Sequence, residues 1–261
     1  ILIGSIVSGS AVILAVYGIG TQIVQYYQSI GLAFTGVLMP GIVKLVEENA
    51  SPDELTGEMV RIGRIVFMVL GIIWCGFAVF GREFVVLWAG IENADAYYVT
   101  LILMSAYIFV LTESVGTQIL WAMNQHKEQA ILKIVIVVVN IALTILLIKW
   151  NPLIGATIGT FISLMLGDVV VMNLIFKKKM HISLAQYYDR LFKGILPCLG
   201  FVLIVGYGLR CFLPMGWLWL CLKILALVVA YGLVMLRFGM TDYEKNLVSS
   251  ILGKITHIGG K

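Results

Sequence analysis

The sequence predicts an all-α fold, a polytopic membrane helix bundle. Three observations carry that prediction. The mean hydropathy is +1.01. Hydrophobic residues make up 61% of the chain and charged residues only 12%, against roughly 25% charged in a soluble domain. Apolar runs of about 18 or more residues, enough to cross a hydrocarbon core, recur from end to end.

The opening ILIGSIVSGS has neither the charged flank nor the small-residue cleavage site of a signal peptide. Residues 1–9 are therefore expected to be the end of a span whose earlier part lies outside the chain. Complete spans follow at roughly 11–38, 62–80, 96–122, 129–148, 153–176, 194–210 and 216–236, about seven crossings at ordinary bilayer thickness.

The first full span places Tyr17, Thr21, Gln25 and Gln28 at spacings of four, four and three, with Gln22, Tyr26 and Tyr27 nearby. That pattern makes one polar, aromatic face. Amides facing lipid would be left unsatisfied, so the face is expected either to bond neighbouring helices or to meet a hydroxyl-rich ligand such as a sugar.

Ionisable residues inside spans face a bundle interior or a wet cavity, because exposure to lipid is costly. Glu113 lies four residues before Thr117, with Thr112 and Gln118 beside it, a strip on one helix face. It is a candidate for carrying a coupling proton or cation, or for a neutral, hydrogen-bonded packing role. Asp168 adjoins a stripe of Gly155, Gly159, Ser163 and Gly167, a pattern that brings helices close. Pairing with a neighbouring helix or ion coupling are its two readings. Lys223 sits about a third of the way into the last span, where it either snorkels to the surface or meets a phosphate.

Two connections have amphipathic character. KKKMHISLAQYYDRLFK (177–193) reads as a basic loop or as a short helix on an anionic membrane surface. In the tail (237–261), Thr241 and Glu244 have capping-box spacing ahead of Leu247, Val248, Ile251, Leu252 and Ile255 on one helical face. This second helix is expected to anchor at the membrane surface.

Lys44, Arg61, Arg64, Lys127, Lys133, Lys177, Lys178, Lys179, Arg190, Lys193, Arg237, Lys245, Lys254 and Lys261 fall on one side of the predicted spans. The other side holds Arg82, Lys149 and Arg210. Basic residues are retained in the cytoplasm, so the C-terminus is expected inside and the 177–193 connection with it.

Several functions are argued against. The basic residues are scattered among apolar spans, which is no nucleic-acid footprint. Cys75, Cys198, Cys211 and Cys221 lack metal or disulfide spacing and read as buried thiols. His126, His181 and His257 are too dispersed to suggest a metal cluster. No P-loop, H-E-x-x-H or G-x-S-x-G motif is present, so neither an enzyme nor a cofactor is expected.

Six stretches, in order, carry a resemblance: AVYGIGTQI, LMPGIVKLVEE, FGREFVVLWAGIENAD, WAMNQHKEQAILKI, the pair NIALTILLI and NPLIGATIGTFIS, and TDYEKNLVSSIL. Together they resemble the polysaccharide biosynthesis and export branch of the multidrug/oligosaccharidyl-lipid/polysaccharide flippase superfamily. The resemblance implies two helical lobes around a central cavity, followed by two extra C-terminal helices. By it, residues 1–176 form the second lobe, 177–193 a cytoplasmic interfacial connection, 194–236 the extra pair and 237–261 a cytoplasmic tail, the first lobe lying outside the chain.

It further implies a flippase that moves an undecaprenyl-diphosphate-linked oligosaccharide across a bacterial cytoplasmic membrane by alternating access, with no bond made or broken. Membrane lipids and polysaccharide-assembly proteins would be its partners. Substrate-contact candidates are then Tyr17, Thr21, Gln22, Gln25, Gln28, Glu113, Thr117 and Lys223, and coupling candidates Glu113 and Asp168. The alternatives are a cation-coupled multidrug antiporter of the same superfamily and a membrane polysaccharide polymerase or glycosyltransferase. The latter would draw on Arg82, Glu83, Glu92 and Asp95 in the outer connections, a sparse set for an active site.

Overall fold

A computed structural model describes residues 10–36 and 39–258; the side chains of residues 10, 35, 39, 40 and 251–258 fall outside the described set. The predicted stub 1–9 also lies outside it. The chain is 89% helical without strands among the described residues. In order, the helices are α1 (Ser10–Gly36), α2 (Met39–Glu47), α3 (Pro52–Ala89), α4 (Ala96–Thr112), α5 (Ser114–Ala122), α6 (Lys127–Leu147) and α7 (Pro152–Leu164). A π-turn over Met165–Val171 leads into α8 (Met172–Met180), followed by α9 (Leu184–Phe192), α10 (Ile195–Phe212), α11 (Trp217–Val234) and α12 (Asp242–Ile258).

Six stretches among the described residues are helices long and apolar enough to cross a membrane: Pro52–Ala89, Ala96–Ala122, Lys127–Leu147, Pro152–Met180, Leu184–Phe212 and Trp217–Gly239. They correspond to six of the seven predicted spans, and a multi-pass membrane protein accounts for them. The other predicted span, α1, has the length, at 27 residues, but its glutamines keep it less apolar.

The helix bounds differ from the predicted spans for physical reasons. Helix α3 runs for 38 residues, absorbing much of two predicted loops. Ser51 starts it with a complete capping box to Glu54 and Pro52 in the first turn, the conditions that nucleate a helix in polar sequence. At its far end FVVLWA continues the helix until Gly90, whose φ of 94° favours glycine. The predicted 96–122 span is interrupted at Glu113, and the predicted 153–176 span contains the π-turn.

Helix α3 is the central post, packed by α1, α4, α9, α10 and α11. The predicted extra helix pair therefore leans on the same helix as the rest of the bundle. Helix α7 lies against α6 through the small-residue stripe. A Cβ at Gly155 would fall 2.2 Å from the Leu147 carbonyl, one at Gly159 3.0 Å from Thr144 Oγ1, and one at Gly167 2.1 Å from the Ile136 side chain. Glycine is needed here for close approach.

A buried arginine fastens the basic end. Arg64 is 4% exposed, and its guanidinium makes a two-pronged pair with Glu244, at 2.6 Å and 3.1 Å. It also donates to the carbonyls of Arg190, Lys193 and Gly239 at 2.7–2.9 Å. Glu244 in turn accepts from the Thr241 backbone N–H at 2.7 Å, so the tail capping box forms and its carboxylate also serves Arg64. One side chain thus joins α3, the end of α9, the end of the α11 span and the start of α12. The partly buried Leu247 and Val248 continue the predicted tail face; the side chains of Ile251, Leu252 and Ile255 lie outside the described residues.

Cys75 and Cys198 are buried, as predicted, whereas Cys211 and Cys221 are exposed. The correction follows from the sparse packing of α10 and α11, which present most of their surface away from the bundle.

Candidate functional site

Polar side chains inside the spans form two groupings. The first centres on Glu113, which is 2% exposed and occupies the break between α4 and α5. Its carboxylate accepts a hydrogen bond from Asn173 Nδ2 at 2.8 Å and another from the Tyr188 hydroxyl. Asn173 Nδ2 also approaches Tyr188 Oη at 2.7 Å and the Val169 carbonyl at 2.9 Å.

Within the predicted polar strip, Glu113 bonds α8 and α9 rather than Thr117 or Gln118, and Gln118 Oε1 is buried without a partner among the described residues.

Helix α9 delivers Tyr188, and aromatic packing holds it there. Tyr187 is fully buried, its hydroxyl 3.5 Å from the Thr112 carbonyl and beside Gly63 of α3, where a Cβ would fall 3.1 Å from that hydroxyl. Phe192 packs edge-on to Phe67 at 5.2 Å and stacks on Tyr188 at 5.7 Å. The 177–193 connection is thus neither a plain loop nor a helix resting only on a surface: its aromatic face is inserted into the bundle and closes over Glu113.

Asp168 lies in the π-turn, 8% exposed. Its Oδ1 pairs with Lys133 of α6 at 2.5 Å, the neighbouring-helix partner that the small-residue stripe suggested. Single-turn π distortions inside helices are enriched at functional sites. Within this one Asp168 reaches α6, while Asn173, in the first turn of α8 that follows, reaches Glu113. Asp168 Oδ2 and Asn173 Oδ1 are both buried without a hydrogen-bond partner among the described residues. Unused acceptors of this kind are costly in a dry interior and are satisfied by a proton, a water molecule or a small cation.

The second grouping is the polar face of α1, which the structure divides. Tyr27 belongs to the core, 1% exposed with its hydroxyl donating to the Leu70 carbonyl. Tyr17, Thr21 and Gln28 are half-buried, and Thr21 bonds back to the Tyr17 carbonyl at 3.0 Å. Gln22, Gln25, Tyr26 and Ser29 are exposed. The cross-residue side-chain bond on that exposed part runs from Gln22 Nε2 to Tyr26 Oη, at 3.3 Å. The Gln25 amide has no partner among the described residues.

Tyr107 of α4 lies near both groupings, close to Gln28 of α1 and within electrostatic range of Asp168 and Tyr17. Sequence reasoning missed Tyr107, Asn173 and Tyr188. Asn173 alone carried a readable signal, an amide in the apolar run VVVMNLIF.

Lys223 stands apart. It is 1% exposed, and its ammonium lies 2.7 Å from Glu83 Oε2; the other Glu83 oxygen accepts from the Gly216 backbone N–H at 3.2 Å. The ammonium neither snorkels outward nor is left unpaired for a phosphate. It ties α11 to α3, and Glu83 is spent on that tie.

Comparison with family models, with curated proteins and with solved structures returned no match.

Proposed function

We propose that the chain is part of an alternating-access flippase that carries a lipid-linked oligosaccharide, of the undecaprenyl-diphosphate class, across a bacterial cytoplasmic membrane. The observation that carries this reading is the exposed amide and phenol face of α1. Gln22, Gln25, Tyr26 and Ser29 lie in the middle and last third of a helix as long as a membrane crossing. Facing lipid, their amides would be unsatisfied; facing a hydrated cavity, they can exchange water for sugar hydroxyls.

The resemblance of the sequence to polysaccharide exporters supports the same substrate class, and in this reading α1 faces a second helical lobe. The basic end, with Lys177, Lys178 and Arg190 exposed, would be cytoplasmic, and the C-terminus with it.

A second reading, the cation-coupled antiporter, is favoured by the Glu113–Asn173–Asp168 cluster. Its oxygen atoms suit a proton or a small cation, and Tyr107 lies near both it and the α1 face. In the flippase reading the same cluster supplies the coupling step. The polymerase or glycosyltransferase reading loses Glu83, which is engaged with Lys223.

The test is the leaflet location of the lipid-linked oligosaccharide when the full-length protein is depleted and then restored. Build-up in the inner leaflet, reversed by the wild type and not by Gln22→Ala/Gln25→Ala, is the expected result. An unchanged pool with heightened sensitivity to cationic drugs selects the antiporter instead, with Glu113→Gln as the variant expected to abolish drug efflux.

A further inference from the structure

A pocket at the basic end brings cationic side chains together beside an exposed apolar surface. It has a volume of about 370 Å³ and is lined by Arg64, Arg190, Lys193, Gly194, Phe238 and Thr241, among others. No carboxylate lines it. Arg64 is neutralised by Glu244, but the Arg190 and Lys193 side chains are exposed and have no ion-pair or hydrogen-bond partner among the described residues. Lys179, by contrast, is committed to Glu128 at 2.7 Å. Two uncompensated positive charges thus stand at one mouth.

The position of the pocket follows from the helix ends. Gly194 is the residue from which α10 starts, with φ of 81°, and a Cβ there would fall 3.0 Å from the Phe238 carbonyl and 3.2 Å from Gly239 Cα. The residue that caps α10 and the last residues of the Trp217–Gly239 stretch are therefore in contact. Beside the pocket, Phe238, Leu196 and Leu236 are 73%, 50% and 41% exposed, an apolar surface suited to an acyl chain.

We propose that this pocket binds an anionic phospholipid, its phosphate between Arg190 and Lys193 and an acyl chain against Phe238 and the outer faces of α10 and α11. Charge complementarity selects the headgroup, since a basic residue near an anionic surface contributes about fivefold to binding. The adjoining apolar surface selects a lipid over a soluble phosphate. The site is separate from the Glu113 cluster and from the α1 face. A lipid there would brace the corner where Arg64 gathers α9, the end of α11 and α12.

The experiment uses the purified full-length protein in a neutral detergent, titrated with phosphatidylglycerol or phosphatidylcholine and read by native mass spectrometry and thermal unfolding. The expected result is retention of phosphatidylglycerol over phosphatidylcholine with a raised Tm. Retention is expected to weaken about thirtyfold in Arg190→Gln/Lys193→Gln and to be kept in the control Lys177→Gln/Lys178→Gln. Equal loss in the control would overturn the site in favour of diffuse surface charge. The same Tm rise with inorganic phosphate alone would overturn the lipid assignment, as would equal retention of both lipids. Because Arg190 and Lys193 are exposed, the variants are expected to fold, and the charge-state distribution of the native mass spectrum reports whether they do.

Discussion

At the scale of single residues, this bundle treats its charges in two ways. Arg64 and Lys223 are each buried and each paired with a carboxylate from a distant part of the chain, Glu244 and Glu83. Breaking a buried pair from one side leaves an uncompensated charge, which costs about 3–5 kcal/mol. Glu244→Ala is therefore expected to lower the Tm of the purified protein sharply, because it strands the Arg64 guanidinium and removes the cap of α12 together. The check is thermal unfolding of Glu244→Ala beside Lys245→Ala, an adjacent change outside the pair that is expected to leave the Tm nearly unchanged. Glu113 differs from these: its partners Asn173 and Tyr188 are neutral. No fixed countercharge among the described residues bonds it directly, so no ion pair fixes its charge, as the coupling role in the proposed function requires.

At the scale of elements, hydrophobic run length and small-residue spacing made much of the fold legible. The apolar runs located six membrane-length helices because lipid tolerates little else. The stripe from Gly155 to Gly167 announced the α6–α7 contact, since glycines at every fourth position leave a groove for a neighbour. A Gly155→Val substitution is expected to destabilise the protein by at least about 1–3 kcal/mol, because its Cβ alone would meet the Leu147 carbonyl at 2.2 Å. Thermal unfolding reads this loss, with Gly208→Val as the control, where a Cβ meets nothing within 4 Å.

What sequence could not show is where a helix stops being regular. The break at Glu113 has no proline beside it, and the π-turn around Asp168 contains Gly167 at a position the small-residue stripe explains equally well. They redirect Glu113 away from Thr117 and toward a tyrosine seventy-five residues later in the chain. Helix α9 was legible as amphipathic, but its insertion was not, because Tyr187, Tyr188 and Phe192 suit a membrane interface and a bundle core equally well.

At the scale of the whole molecule, α3 collects the bundle, and α9 closes one end over the buried carboxylates. Helix α1 is left with a polar face turned outward. Within a bilayer that arrangement is stable only if something other than lipid covers the face. A facing helical lobe with hydrated space between the two is the arrangement that the proposed transport cycle requires. Tyr107 lies between that face and the Glu113 and Asp168 cluster, within electrostatic range of Asp168, and in the proposed cycle it is the polar group nearest to both.

The measurement that tests this most directly is the aqueous accessibility of α1. In the full-length protein with Cys75, Cys198, Cys211 and Cys221 replaced by alanine or serine, Gln25→Cys is treated in intact membranes with a membrane-impermeant thiol reagent, beside Val138→Cys on the exposed apolar face of α6. The account predicts that Gln25→Cys is labelled, that added lipid-linked oligosaccharide slows the labelling, and that Val138→Cys stays unreactive. Equal protection of both cysteines would place α1 against lipid or dry protein and contradict the transport account.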